Sequence, residues 1–196
     1  MKRAIALVAV PALAFALAAC GDSGDSGDGG SEPSLSASGS ATGMVTPGSH
    51  NDQDVMFAQM MIPHHRQAVE MARLAPSRAS SAQVEKLAAG IEKAQAPEIQ
   101  KMTGWLGAWG APAAMSGMHH DMPGIMSEKD MASLTALKGK AFDRAFLQMM
   151  IKHHEGAVAM AKDERASGLN AGAKDLALRI ITSQSAEIAK MRDLLK

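Results

Sequence analysis

Met-Met-Ile-x-His-His occurs twice, as MMIPHH at residues 60–65 and MMIKHH at 149–154, in a chain of 196 residues with only 7 His and no Tyr. Imidazole suits copper, zinc, iron and nickel, whereas a thioether is a soft ligand that favours Cu(I), so the combination tilts toward copper and leaves zinc or iron open. Residues four apart on a helix stack one above the other. Met60 then meets His64 and Met61 meets His65, which gives two Met/His pairs about 100° apart around one helix. Met71, two turns beyond His64, extends the first pair. The second copy offers Met149 with His153 and Met160, and Met150 with His154.

A third cluster, MSGMHHDMPGIM at residues 115–126, carries Met115, Met118, His119, His120, Met122 and Met126 among Gly, Pro and Ser. No core requires such a composition. Read as an exposed, flexible loop, it captures a soft metal more weakly than ligands held on packed helices, because ordering the loop costs entropy. Structural readings stand beside these. Met at helical spacing also serves as core filler, and an inward His paired with an inward Glu also serves as a polar clasp. Glu98 and Glu187 sit in otherwise apolar stripes (Ile91 and Met102; Ile180 and Met191), where a carboxylate needs a partner. The His N–H groups are the obvious candidates, and such a bond fixes the tautomer of a ligating imidazole.

The elements that position these side chains are duplicated. The segment from Asp54 to Ala75 aligns without a gap on Asp143 to Glu164, a shift of 143 − 54 = 89, with 12 of 22 positions identical. The same shift pairs Leu87, Ile91, Gln95, Glu98, Ile99 and Met102 with Leu176, Ile180, Gln184, Glu187, Ile188 and Met191. Phe57, Met61, His64, Ala68 and Met71 step by 4, 3, 4 and 3, the mark of an amphipathic helix. The spacing predicts an all-α fold, a four-helix bundle of two duplicated helical hairpins about a pseudo-twofold axis. Pro76 is expected to close the first helix, Ser80-x-x-Gln83 to cap the second, and Gly168 and Asn170 to separate the last two. Pro63 and Pro97 are expected to kink the first hairpin, each removing one backbone bond. A short helix over 128–137, capped by Ser127, is expected in the connection, and Trp105 and Trp109 are assigned to packing.

Lys2 and Arg3 precede a short apolar run from Ile5 to Leu17 and then Leu17-Ala18-Ala19-Cys20, the layout of a processed export signal. The stretch resembles a bacterial lipoprotein signal with its lipobox. That resemblance implies cleavage after residue 19, a lipid on Cys20, and an extracytoplasmic chain anchored to the bacterial cell membrane. With its one Cys so used, the mature chain has no internal disulfide and no thiolate metal site. Losing Lys2 and Arg3 leaves 18 of 20 basic residues against 20 acidic ones, which excludes a basic nucleic-acid-binding surface. The expected organisation is a signal at 1–19, a Gly/Ser/Asp tether at 20–50 that cannot bury enough apolar surface to order itself, and a domain at 51–196. That domain holds repeats at 54–106 and 143–195 and a Met/His-rich connector at 115–131.

The doubled pattern D-x-x-F-x-x-M-M-I-x-H-H-x-x-A-V-x-M-A resembles the DUF305 family of bacterial exported proteins. The resemblance covers residues 51–195 and implies a ferritin-like four-helix bundle, with copper binding and resistance in some members. Carried over by position are Asp54, Phe57, His64, His65 and Met71, and Asp143, Phe146, His153, His154 and Met160. The expected function is Cu(I) buffering or copper resistance without catalysis. A di-metal oxidase or metal-storage protein is the alternative, although such sites want Glu from two helices and Glu-x-x-His from the others, and no Glu lies within three residues before His64 or His153. A metal-free interaction module is the third reading. Two chains sharing a site as a homodimer and a separate copper-exchange partner are both left open.

Overall fold

Asn51 starts the first helix with a reciprocal cap: its side chain accepts from the Asp54 amide at 3.1 Å, and the Asp54 carboxylate accepts from the Asn51 amide at 2.7 Å. From there α1 (Asp52–Arg78) runs into α2 (Ala82–Ala108), the short α3 (Glu128–Ala136), α4 (Gly139–Ser167) and α5 (Ala171–Leu194). The computed structural model of the chain describes residues 48–113 and 122–196. The expected signal with Cys20, the tether up to residue 47, and Met115, Met118, His119 and His120 lie outside the described residues. Among the described residues no helix is long and apolar enough to cross a membrane.

Helices α1 and α2 form one hairpin, α4 and α5 the other, and the two meet along α1 and α4. The core has two clusters. One joins Met71 of α1 to Phe146 and Met150 of α4, with Leu134 of α3 beside them. The other joins Phe57 and Met61 of α1 to Met160 and Ala161 of α4. The late part of each helix thus packs on the early part of the other. Helices α1 and α4 are antiparallel, related by the sequence shift of 89, and the expected bundle of duplicated hairpins is what forms.

Two sequence expectations about helix ends need correction. Helix α1 passes through both Pro63 and Pro76 and ends at Arg78, and α2 passes through Pro97. Pro76 lies on the exposed side of the last turn, where its ring costs one backbone bond without ending the helix. Ser80 does not cap α2. Its amide and hydroxyl go to Asp143, at 3.2 and 2.6 Å, and Ser81 stands at the N-cap without a side-chain bond. Ser127 caps α3 as expected, through a reciprocal box with Asp130.

Asp143 thereby ties the start of α4 to the end of α1, and Asp54 does the converse. Fully buried, Asp54 accepts from the Leu169 and Asn170 amides at 3.1 and 2.9 Å. Here the duplication breaks, because Glu164 replaces the Ala75 of the first repeat and is also fully buried. As a carboxylate Glu164 would have no donor on either oxygen. With a proton it bonds to Asp54, and its pKa is pushed up to about 8, first by burial and then by Asp54, while Lys174 opposes the shift. Burial also raises the pKa of Asp54, but the Asn51 amide, Glu164 and the Asn170 and Leu169 amides together hold it below its usual value.

Candidate metal centre

All four motif histidines are fully buried. The helical period turns consecutive residues about 100° apart, and each pair divides its work accordingly. His64 and His153 point at one another across the α1/α4 contact, with ring centroids 3.7 Å apart and planes tilted by 40°. His65 and His154 turn into their own hairpins. His65 Nε2 lies 2.9 Å from Glu98 Oε2, and His154 Nε2 lies 2.7 Å from Glu187 Oε2. The sequence expectation that Glu98 and Glu187 find His partners therefore holds in both repeats.

Burial is the main reason that the His64 imidazole is pushed down to about 3; His65 and His154 add repulsion, and the Pro123 carbonyl acts in the opposite sense. His153 is also held well below the ordinary range, by burial first and then by His64, His154 and His65. Both rings are neutral at physiological pH, the state in which an imidazole offers a lone pair to a metal. Buried nitrogens normally have hydrogen-bond partners. Here Nδ1 of His64, His65 and His154 and both nitrogens of His153 have none. Such partnerless lone pairs fit a soft metal ion.

The thioethers flank this layer. Met61 and Met160 lie in the core cluster on one side of the His pair, Met71 and Met150 in the cluster on the other, and all four are buried. Met60 and Met149 are partly buried against the same clusters. Met122 corrects the expectation of an exposed loop. It and Met126 are each only 5% exposed, because the end of the connector is strapped across the bundle. Among the described residues, no three side chains from His, Cys, Asp and Glu converge as a metal cage. The donors gathered at this layer are His nitrogen and, on either side of it, Met sulfur.

Several residues at the layer had no sequence signal. Gln67 and Pro123 anchor the strap, and nothing in an isolated Gln or Pro announces that. Gln95 and Gln184 are buried with Oε1 unpartnered; their match under the shift of 89, inside apolar stripes, could have flagged them. Trp105 and Trp109 stack with centroids 5.9 Å apart, His50 stacks on Trp109, and Lys101 lies over the Trp105 ring. They pack, as expected.

Fold and site together define an all-α bundle of two duplicated hairpins with a buried histidine layer between two methionine-bearing cores. The chain belongs to the DUF305 family, described as a domain of unknown function, whose profile matches residues 54–195. A DUF305 protein from Streptomyces coelicolor, named as a candidate secreted protein, is 37% identical, with 73% of this chain and 91% of that chain covered and a TM-score of 0.69. A DUF305 fragment from Deinococcus radiodurans is 35% identical over 74% of this chain and 96% of that one, with a TM-score of 0.68. CopM in its Cu(I)-bound form is 34% identical over 72% and 94%, with a TM-score of 0.62. No curated protein matches the sequence significantly.

Proposed function

We propose that this protein binds Cu(I) outside the cytoplasm and acts as a buffer or resistance protein that holds the ion or hands it to an exchange partner. The observation that carries the reading is the layer of buried imidazoles with partnerless nitrogens, flanked on both sides by buried thioethers. The ligands are drawn from His64, His65, His153 and His154 with Met60, Met61 and Met71 and their counterparts Met149, Met150 and Met160. Glu98 and Glu187 orient His65 and His154. Met118, His119 and His120 of the connector supply a separate, weaker site, while Met122 is buried in the strap. The likeness to CopM, whose structures include Cu(I)-, Cu(II)- and silver-bound forms, supports a soft metal as cargo.

Zinc gains little from a neutral sulfur, so Cu(I) should bind more tightly than Zn(II). Competition against a calibrated Cu(I) chelator, with tag-free protein, should reveal that order. Equal or tighter Zn(II) binding would point to the di-metal or storage reading. Binding of neither metal would leave the His/Glu contacts as a clasp.

The Leu17-Ala18-Ala19-Cys20 stretch supports a lipid anchor to the cell membrane, with residues 20–50 as the tether. A diacylated Cys holds a chain at a bilayer stably, because two acyl chains suffice where one does not. Mass spectrometry of the mature chain should find Cys20 modified and residues 1–19 removed. An unmodified Cys20 on mature chains would refute the anchor.

A further inference from the structure

The connector returns to the bundle as a strap, Met122–Met126, laid across α4 at the histidine layer. Gly124 adopts φ +78, in the left-handed region that glycine tolerates. Its backbone sits so close to α4 that a Cβ there would meet the carbonyl oxygens of Lys152 and His153. The α4 side of the contact is also a glycine, Gly156, where a Cβ would run into the Pro123 carbonyl. On α1 the strap is held by Gln67, which donates to Met126 O at 2.8 Å and accepts from Met126 N at 2.7 Å. Gln67 and Gly156 are equivalent positions under the shift of 89. One supplies two hydrogen bonds and the other supplies room, so a single strap crosses a duplicated structure.

The strap brings the Pro123 carbonyl to 3.0 Å from His64 Nε2. A carbonyl only accepts, so the proton of the neutral ring is on Nε2 and the lone pair is on Nδ1, which is buried and has no other partner. His153 makes no hydrogen bond to the strap, and the backbone of His64 acts on its ring instead.

We propose that the strap selects the ligating atom of His64: Gln67 and Gly156, as positioning residues, hold the Pro123 carbonyl against Nε2–H and so present Nδ1 to the metal. This rests on the copper reading, which treats His64 as a ligand. It makes the two central histidines unequal, since the strap fixes the tautomer of His64 and does not bond to His153. Outer-shell bonds of this kind commonly change metal affinity by about 10- to 100-fold.

Long-range 1H–15N NMR of the uniformly labelled, metal-free chain at neutral pH should find His64 protonated at Nε2. One equivalent of Ag(I), as an oxidation-resistant d10 stand-in for Cu(I), should then shift its Nδ1 resonance. Gln67→Ala, which removes both strap bonds, and Gly156→Ala, which crowds Pro123, should each give a mixed His64 tautomer. Each should also weaken Cu(I) binding by about 10- to 100-fold. A merely structural strap would lower the melting temperature without moving the tautomer. An Nε2-protonated His64 that stays locked in both folded variants, with copper affinity unchanged, would overturn the inference while leaving the copper reading intact. A tautomer that depends on Gln67 in a chain that binds no Cu(I) would instead overturn the copper reading and the ligand role with it.

Discussion

Replacing His64 and His153 together by Ala should abolish the rise in melting temperature that Cu(I) confers on the intact chain. A ligand that binds only the folded state stabilises it by RT ln(1 + [L]/Kd), about 2.7 kcal/mol at a hundredfold excess over Kd. The two rings lie at the α1/α4 contact, 3.7 Å apart, so a metal held there links the two hairpins and its binding energy becomes folding energy. Connector ligands behave differently. Replacing Met115, Met118, His119 and His120 by Ser should lower the Cu(I) stoichiometry and leave most of the thermal shift. Met122 and Met126 are kept in that variant because both are buried in the strap, and changing them would disturb the bundle. Removing two buried imidazoles also leaves a cavity, which carries its own cost. Melts of metal-free and metal-loaded protein are therefore compared for each variant, with His64→Gln/His153→Gln as a bulkier second pair. Retention of the full shift by the histidine variants would place the principal site elsewhere.

Glu164→Gln should flatten a fall in stability that the natural chain shows between acid and mildly alkaline pH. The folded pKa of Glu164 is raised from 4.5 to about 8, so between those values the unfolded chain has released a proton that the folded chain keeps. Stability contributed by the protonated pair is fully present below about pH 4.5 and is lost as pH rises toward 8. One such proton sets a limiting slope of about 1.4 kcal/mol per pH unit. Gln keeps a donor facing Asp54 and cannot ionise. Thermal melts of both chains at pH 5, 7 and 9 should therefore diverge in favour of the variant as pH rises. Parallel profiles would mean that Glu164 is ionised throughout and that Lys174 or water satisfies it. The first repeat has Ala75 at the equivalent position, and there Asp143 accepts from Ser80 instead.

Much of the histidine layer could be read in advance because the relevant signals are periodic. A repeat with a constant shift and a 4-3-4-3 apolar step specifies two amphipathic hairpins, and His at consecutive positions must then face two directions. Glu98 and Glu187 stood out for a physical reason, as carboxylates in apolar stripes that needed donors. What escaped the sequence was whatever depends on a single chain crossing a duplicated scaffold. Gly156 looks like an ordinary helix interruption until Pro123 lies on it, and Gln67 looks like a solvent-facing residue until Met126 bonds to it. Ser80 was assigned to a local cap and instead serves Asp143, 63 residues away, because a buried carboxylate competes for a hydroxyl more strongly than an exposed helix end that water can satisfy. Pro76 was read as a helix end, yet α1 continues to Arg78, since tertiary packing of an amphipathic face outweighs one missing backbone bond. Glu164 had no signal at all: a Glu near the end of a helix normally reads as a solvated charge.

The most direct measurement of the copper reading is X-ray absorption at the copper edge on tag-free protein carrying one equivalent of Cu(I). The account predicts that the first shell contains both sulfur and imidazole nitrogen, and that in the His64→Ala/His153→Ala variant the imidazole contribution falls. A first shell of nitrogen and oxygen alone, or a spectrum unchanged by the loss of both histidines, would contradict it.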